Sequence, residues 1–441
     1  MRPVSSLRKS LRASLIDGGA FSLMVGCGET YLAAFVLAVG LGETMAGVMA
    51  TAPMLVGAAL QLASVHGVRW LGSQRRWVIF CAVTQGLCFL PLAGLALSGH
   101  ASTLVIFLAA GLYWAGGLGA GPAWNTWMGR QVPTRVRAHF FAKRTRVTQV
   151  VVLLALLGGG ALLETSKASD ATLRGFAILF SVACAARLIS AAFLWRQGEP
   201  SGAPLADRAI GVAELLGRLG HTDGRLLTYM LCVQVGTHVA ASYFTPYMLS
   251  HLNMGYQGYV FMLAMAFVAK IVALPTIGRY ASRAGARRLL ILGGIGIAPL
   301  TVAWILTTDY WLLLASQIIG GIAWACYELA TFLLMYETIP DEERTGVLSS
   351  FNFVNTLAVA VGAAIGAAIL QFAGESAPTY ILLFALSAIV RIATVSLLFR
   401  VHGVPLVSVT VALRTLSVRP LSGSLDAPIL ASIERPPPSK A

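Results

Sequence analysis

Two glutamates lie inside apolar stretches of this chain, where an ionisable side chain can do chemistry that a solvated one does not. Glu29 stands about midway between Asp17 and Gly40, with no other charge between them. Glu328 occupies a later apolar stretch, and Lys270 an earlier one. Desolvation favours the neutral form of a carboxylate, so such a group can exchange a proton near neutral pH or pair with a cation. The alternatives are structural: a hydrogen bond to a neighbouring helix for Glu29, and a fixed ion pair with Lys270 for Glu328.

A polar stripe accompanies these glutamates. Gln234, His238 and Ser242 are spaced i, i+4, i+8, which places them on one face of a helix. The ordinary titration range of histidine makes His238 a natural proton carrier, and the alternative is a hydrogen-bonded packing residue. We expect the stripe to line a cavity. Tyr327 and Lys270 are further candidates for that lining.

An aromatic cluster, Trp124, Asn125 and Trp127, forms a third candidate. It would be either the wall or inner gate of a cavity for an amphipathic solute, or part of an aromatic belt at the membrane interface. Two arginines inside apolar stretches, Arg187 and Arg391, occupy matching positions in the two halves of the chain. Their symmetry favours a scaffold role for both.

The elements that must position these residues are membrane helices. The chain is 57% apolar and only 11% charged, whereas a soluble domain carries about 25% charged residues. About 20 apolar residues cross a bilayer as a helix. The sequence therefore predicts an all-α membrane protein with twelve transmembrane helices in two pseudo-symmetric six-helix bundles. The predicted spans are 17–40, 46–66, 77–97, 103–128, 147–164, 174–195, 226–250, 257–278, 289–307, 311–336, 347–371 and 379–399.

The basic residues predict the orientation and the domains. With a cytoplasmic N-terminus, Lys167 and Arg174 are the only basic residues placed outside, so we expect both termini in the cytoplasm. The predicted units are an N-terminal bundle (1–195), a cytoplasmic linker (196–225) with a short amphipathic helix around Ala206–Leu219, a C-terminal bundle (226–400) and a partly disordered tail (401–441).

Several classes of function lack their sequence signals. No phosphate-binding G-x-x-x-x-G-K-[ST] loop, HExxH, GxSxG or metal-spaced His/Cys set is present, so we expect no cofactor, no metal and no enzymatic activity. The net charge of +14 comes from short basic runs between apolar stretches, which argues against nucleic-acid binding.

The two halves repeat one another, because landmarks recur in the same order at a nearly constant separation. The matched pairs are Gly42 with Gly255, Gly72–Arg75 with Gly285–Arg288, Pro133 with Pro340, and Arg187 with Arg391.

At these landmarks the chain resembles the major facilitator superfamily. The run from Gly278 through Arg283, Gly285 and Arg287 to Arg288 is similar to the signature loop G-x-L-A-D-R-x-G-x-R-R, with Ser282 in place of the acid. A weaker copy carries Gly72 and Arg75. The segment Gly121–Pro133 resembles a bacterial permease branch. The resemblance implies two bundles around a central cavity that opens alternately to each side, with spans 1 and 7 packed across the interface.

These features together predict a secondary active transporter in the inner (plasma) membrane. It would move a small organic solute, coupled to protons or another ion, through a monomer embedded in the lipid bilayer. Acidic and aromatic cavity candidates favour efflux over uptake. Two alternatives remain: a transporter-like receptor that binds a ligand without moving it, and an intramembrane enzyme.

Overall fold

The computed structural model of the protein describes residues 4–62, 64–99, 102–132, 134–199, 211–218, 224–338 and 344–399. All regular elements in those ranges are helices, because a helix satisfies its own backbone hydrogen bonds in lipid. The predicted fold of twelve membrane-crossing helices in two six-helix bundles is confirmed.

The first half contains spans 1 to 6. Their helices are Val4–Cys27, Glu29–Tyr31 and Leu32–Ala38 (span 1), Glu43–Met49, Ala52–Leu62 and Ser64–Leu71 (span 2), Gln74–Leu87 and Phe89–Ser98 (span 3), Thr103–Gln131 (span 4), Thr134–Ala168 (span 5) and Thr172–Trp195 (span 6).

The second half contains spans 7 to 12. Their helices are Arg225–Ala241, Phe244–Pro246 and Tyr247–His251 (span 7), Tyr256–Ala284 (span 8), Ala286–Ile297 and Val302–Leu306 (span 9), Tyr310–Thr338 (span 10), Arg344–Ala373 (span 11) and Ala377–Leu398 (span 12).

Span 7 is interrupted. Eleven helical stretches in the described part of the chain, some of them made of consecutive helices, are long and apolar enough to cross a membrane. The first helix of span 7, Arg225–Ala241, has only 17 residues and crosses together with the short helix and π-helical turn that follow it. The interruption therefore lies beside the predicted polar stripe.

Some predicted bounds differ from the observed ones. Span 1 begins at Val4 rather than residue 17, and span 5 runs over Thr134–Ala168 rather than 147–164. Both extensions carry basic residues, so these helices continue into the polar region beyond the apolar core of a membrane. A linker helix is observed at Val212–Arg218, within the predicted Ala206–Leu219. The rest of that prediction, at 206–210 and 219, lies outside the described residues, as does the tail from residue 400.

The packing of the two halves is symmetric. Span 1 packs on spans 5 and 6, and span 7 packs in the same way on spans 11 and 12. Spans 2 and 4 pair as spans 8 and 10 do, and spans 3 and 4 pair as spans 9 and 10 do. Between the halves, span 5 packs on span 8 and span 2 on span 11. The repeated landmarks thus correspond to a repeated architecture.

The halves meet at one end. Twelve spans put both termini on the same side, which we call the terminal face, and the opposite side the distal face. On the distal side one buried apolar cluster runs through both halves, from Met24 and Phe176 to Tyr259 and Phe384. Toward the terminal face, the described buried residues form separate clusters in each half. The distal side is therefore closed.

A tyrosine fits into this closed side. The ring of Tyr243, in span 7, lies between Gly47 of span 2 and Gly366 of span 11, and its hydroxyl donates to the carbonyl of Ala363 at 2.7 Å. A Cβ atom on Gly47 would lie 1.9 Å from the ring, and one on Gly366 2.4 Å from it. Only glycine permits an approach this close on both sides.

Candidate functional site

A central cavity of about 100 Å³ lies between the halves, and Glu29 lines it. Spans 1, 2 and 4 form one side, and spans 7 and 11 the other. Glu29 stands where the first helix of span 1 has ended at Cys27 and a short 3-10 turn begins. The Tyr113 hydroxyl of span 4 donates a hydrogen bond to Glu29 Oε2. Glu29 is thus a held carboxylate at the wall of an inter-bundle cavity.

The break in span 1 has local causes. Gly28 approaches Phe89 so closely that a Cβ atom would lie 2.4 Å from the ring. The Thr30 hydroxyl donates to the carbonyl of Val25 at 3.1 Å, and so occupies an acceptor near the helix end. These contacts fix the turn that presents Glu29 to the cavity.

The polar stripe of span 7 divides between two environments. His238 and Ser242 line the central cavity with Glu29, whereas Gln234 is fully buried one turn further toward the terminal face. His238 Nδ1 lies 3.0 Å from the carbonyl oxygen of Gln234. A neutral imidazole that donates from Nδ1 keeps Nε2 as a proton acceptor. The structure therefore brings three of the predicted residues together at one cavity.

A second cavity, of about 170 Å³, lies inside the second half. Spans 7, 8, 9, 10 and 12 line it, and it shares His238 and Ala241 of span 7 with the central cavity. Lys270 Nζ and Glu328 Oε2 are 2.5 Å apart at its wall, with side chains 11% and 7% exposed. Two roles were considered for Glu328, a charge for coupling or substrate and an ion pair with Lys270. The structure contains the ion pair.

Tyr327 lies on the other side of span 10 from Glu328. Its backbone packs against Gly293, and its ring lies 6.1 Å from the ring of Tyr229, centroid to centroid. Neither cavity is lined by Tyr327. The predicted cavity residue belongs to the apolar packing of the second half.

The aromatic cluster lies at the terminal end of the first half. The Arg144 guanidinium stands 4.5 Å from the ring centre of Trp124, and the Trp127 indole donates to the carbonyl of Gly198 at 3.0 Å. Neither tryptophan lines the two cavities. The side chain of Asn125 lies outside what the structure describes. Trp127 thus holds the start of the linker in this arrangement.

The predicted signature loops lie at the terminal face and bind the end of the sixth helix in each half. Gly72 and Gly285 both have positive φ, +64° and +87°, which favours glycine. Arg75 Nη1 donates to the carbonyl of Gln197, after span 6, and Arg287 Nη2 donates to that of Phe399, after span 12. The remaining loop residues are Gly278, inside the helix of span 8, and the exposed Arg283 and Arg288.

One acid near the first loop is missing from the sequence-based candidates. The Ser73 hydroxyl donates to Glu199 Oε2 at 2.5 Å, and the Arg75 backbone N–H donates to Oε1 at 3.2 Å. Glu199 lies in the predicted linker, where its neighbours proline and glycine would predict a solvent-exposed carboxylate. Only the packing of the linker start against the loop shows this contact.

A cluster across the distal face was also missed. Glu375 Oε1 accepts from the Thr44 backbone at 2.7 Å and from its hydroxyl at 2.6 Å, while Tyr380 donates to Glu43 Oε2 at 2.6 Å. His251 Nε2 lies 3.0 Å from the same Glu43 oxygen. These five residues, which we call the distal latch, join the two halves. The repeat landmark Gly42 is next to Glu43 in the sequence, and it was the signal that could have pointed to this cluster.

The two matched arginines have different surroundings. Arg187 Nε donates to Gln85 at 2.8 Å and Nη1 to Ser190 at 2.7 Å, and Ser190 in turn donates to Asp17 at 2.7 Å. Asp17 also forms an ion pair with Arg144 at 3.3 Å. Arg187 therefore belongs to a buried network with an acid.

Arg391 lines the second cavity. Its Nη1 donates to the carbonyl oxygen of Ile297 at 3.1 Å, and no acid pairs with it in the described part of the chain. The predicted scaffold role thus has structural support at Arg187. Arg391, by contrast, is a cavity residue that the sequence did not identify.

Comparisons with known proteins agree with this architecture. A model of the major facilitator superfamily matches residues 226–431. Comparison with curated proteins returned no match. Among solved structures, a peptide transporter of the POT family in an autoinhibited state has a TM-score of 0.69 at 13% identity, covering 89% of this chain and 96% of its own.

Two further structures share the fold. A mutant of the nucleoside transporter NupG has a TM-score of 0.68 at 11% identity, covering 88% of this chain and 99% of its own. A D-xylose-proton symporter has a TM-score of 0.65 at 14% identity, covering 87% and 96%. At such identities these likenesses establish the fold alone. The family match covers the second half of the chain, and the structural likenesses show that the whole chain has the fold of these transporters.

Proposed function

We propose that this protein is a secondary transporter that couples the movement of a small organic solute to protons. The observation that carries the proposal is the meeting of Glu29, from the first half, with His238, from the second, at one cavity between the bundles. A rocking motion of the halves must change the surroundings of both groups. A proton bound there is therefore exposed to one side in one state and to the other side in the next.

The local geometry supports a proton site at Glu29. The Glu29 carboxylate accepts a hydrogen bond from Tyr113, and an ionised carboxylate in this position has lone pairs that can take up a proton. A proton on Oε2 would break or reverse that bond. The Tyr113 ring packs against Phe89 of span 3 and Trp114 of span 4. A change in its hydrogen bond to Glu29 on protonation would therefore alter the packing of the first half.

His238 is proposed as the second proton-binding group. With Nδ1 held by the Gln234 carbonyl, Nε2 is left to accept a proton from the cavities that His238 borders. Ser242 lies in the same cavity as Glu29 and provides a hydroxyl for the solute. The predicted roles of Trp124, Asn125 and Trp127 in substrate contact have no support from the position of the two tryptophans.

Alternating access is proposed to begin from a state closed at the distal face. The distal latch and the continuous distal core must separate before a solute leaves on that side. The loops at the terminal face carry the basic residues Arg75, Arg283, Arg287 and Arg288, which supports a cytoplasmic terminal face in an inner membrane of bacterial type. Export is the proposed direction, and the acidic side chain of Glu29 at the central cavity is the candidate that favours it.

The test is transport by the purified full-length chain in liposomes. A solute identified by thermal-shift screening is loaded, and its flux is measured under an imposed pH gradient for the wild type and for Glu29→Gln. We expect proton-driven flux to fall by about tenfold or more, while solute counterflow without a gradient persists. The matched control is Glu214→Gln, which changes an exposed carboxylate on the linker helix.

Three outcomes would overturn parts of the proposal. Unchanged proton-driven flux in Glu29→Gln removes Glu29 from coupling. Binding without counterflow in the wild type would indicate a receptor. Flux from the distal side only would contradict export.

A further inference from the structure

The second cavity has a wall that fits an apolar or aromatic body. Its apolar lining comes from spans 7, 8, 9 and 10, and includes Phe244, Phe267, Trp304 and Trp324. The cavity lies behind span 7 as seen from the central cavity, and His238 borders both. A ligand in this cavity would be next to the proton-binding group proposed above.

The charge of this wall is unbalanced. Lys270 and Glu328 neutralise each other at 2.5 Å, which leaves Arg391 as the remaining charged side chain of the lining. Arg391 is 3% exposed and has no acid partner in the described ranges, where its one hydrogen bond goes from Nη1 to a backbone carbonyl. A buried guanidinium without a counter-anion is costly, because burial removes its hydration and one backbone carbonyl replaces only part of it.

Unsatisfied donors lie around the same cavity. Arg391 Nε, Thr237 Oγ1 and Thr301 Oγ1 are fully buried and lack a hydrogen-bond partner among the described atoms. The three residues come from spans 12, 7 and 9, and all of them line the cavity. Buried polar groups in native proteins are almost always satisfied, so a set of unsatisfied donors indicates a missing acceptor.

A monovalent oxyanion meets both requirements. It would neutralise Arg391, and its two oxygens would accept from the guanidinium and the threonine hydroxyls, as carboxylates do in charge-assisted hydrogen bonds. A dianion would leave a net negative charge in the cavity, and a cation would add to the charge of Arg391. The aromatic wall favours an organic anion over a halide.

We propose that the second cavity binds a small organic monoanion, with its carboxylate at Arg391, Thr237 and Thr301 and its apolar body against the aromatic wall. The binding site stands on the geometry of the second half. That the bound anion is the transported solute rests on the proposed function.

The test uses benzoate as the probe. Thermal unfolding of the purified full chain is followed with benzoate, with neutral benzamide, with cationic benzylamine and with chloride, each at the same ionic strength. We expect stabilisation by benzoate alone, and affinity lowered by about thirtyfold or more in Arg391→Gln. Thr301→Val removes one hydroxyl with little change in shape, and affinity should fall about tenfold.

Thr331→Val is the matched control. Thr331 is buried in the same half, its hydroxyl donates to the carbonyl of Tyr327 at 2.9 Å, and it lines neither cavity. Equal stabilisation by benzamide, or by chloride, would overturn the assignment. So would an unchanged benzoate affinity in Thr301→Val, a variant whose folding is checked by its unfolding temperature. Benzoate binding without benzoate flux would support the anion site and would show that the bound anion is not the transported solute.

Discussion

The two halves carry an arginine at the same place in opposite surroundings. In the first half, Arg187 is joined through Ser190 to Asp17, which also pairs with Arg144. In the second half, Arg391 lines a cavity with no acid beside it in the described residues. Repeat symmetry fixes where an arginine stands, but the acids supplied by other helices decide whether it holds the scaffold or recognises a ligand.

The largest effect that separates the halves is expected at Asp17. Asp17→Asn should lower the stability of the folded protein by about 3–5 kcal/mol, because it leaves the buried Arg187 and the half-buried Arg144 without their acid. The measurement is the unfolding temperature and the fraction of monodisperse protein in detergent. Ser387→Ala is the control, since it breaks one buried hydrogen bond, to the Gly236 carbonyl, in the half that lacks such an acid. Equal losses in the two variants would contradict the comparison.

Substitution of the arginines themselves is expected to change the stability of the folded protein less, and in opposite directions in the two halves. Arg187→Gln should destabilise by about 1–3 kcal/mol, because it removes hydrogen bonds to Gln85 and Ser190. Without an added anion, Arg391→Gln should leave the unfolding temperature unchanged or raise it, because it removes an uncompensated buried charge. A loss in Arg391→Gln as large as that in Arg187→Gln would show that the two sites are equivalent.

The smallest effect is expected where the halves bond to each other, at Glu375. Partial burial alone would raise the pKa of Glu375, but hydrogen bonds from Thr44 and from the Glu43 backbone N–H outweigh it and lower the pKa. A lowered folded-state pKa means that the ionised form stabilises the latch. This stabilisation is present above the ordinary pKa of 4.5 and is lost as the pH falls below it.

The latch can be followed by distances between spin labels at Leu97→Cys and Leu306→Cys, exposed positions at the distal ends of spans 3 and 9. In a background without the native cysteines, acidification below 4.5 should broaden the distances toward an open state. Glu375→Gln should broaden them at neutral pH. Asp309→Asn, at a distal loop acid that caps the Leu312 N–H of its own turn, is the control and should change neither.

The sequence was sufficient for the fold because the fold is set by local hydropathy and by the repeat. It also put His238 and Ser242 on one helix face, and the structure places that face at a cavity with Glu29. Their roles in transport stay predictions. Tyr327 lines neither of the two cavities described, because adjacent helix residues point about 100° apart and a neighbour of Glu328 need not share its cavity.

Other site residues depend on contacts between distant segments. The distal latch joins Glu43 and Thr44 to residues at least 208 positions away along the chain. Each of its members taken alone is an ordinary loop or helix-end residue. Arg391 occupies the position in its half that Arg187 occupies in the first half. What distinguishes it is the absence of an acid on the helices packed around it, and a single sequence does not show which helices those are.

The fit of Tyr243 between Gly47 and Gly366 has a consequence for how the protein tolerates change. The two glycines belong to opposite halves and contact the same ring, so in the closed state neither position has room for a methyl group. A single methyl group on Gly47 would wedge the halves apart without touching Glu29, His238 or Arg391. We expect Gly47→Ala to shift the protein toward states in which the distal side is open, while the residues that line both cavities stay unchanged.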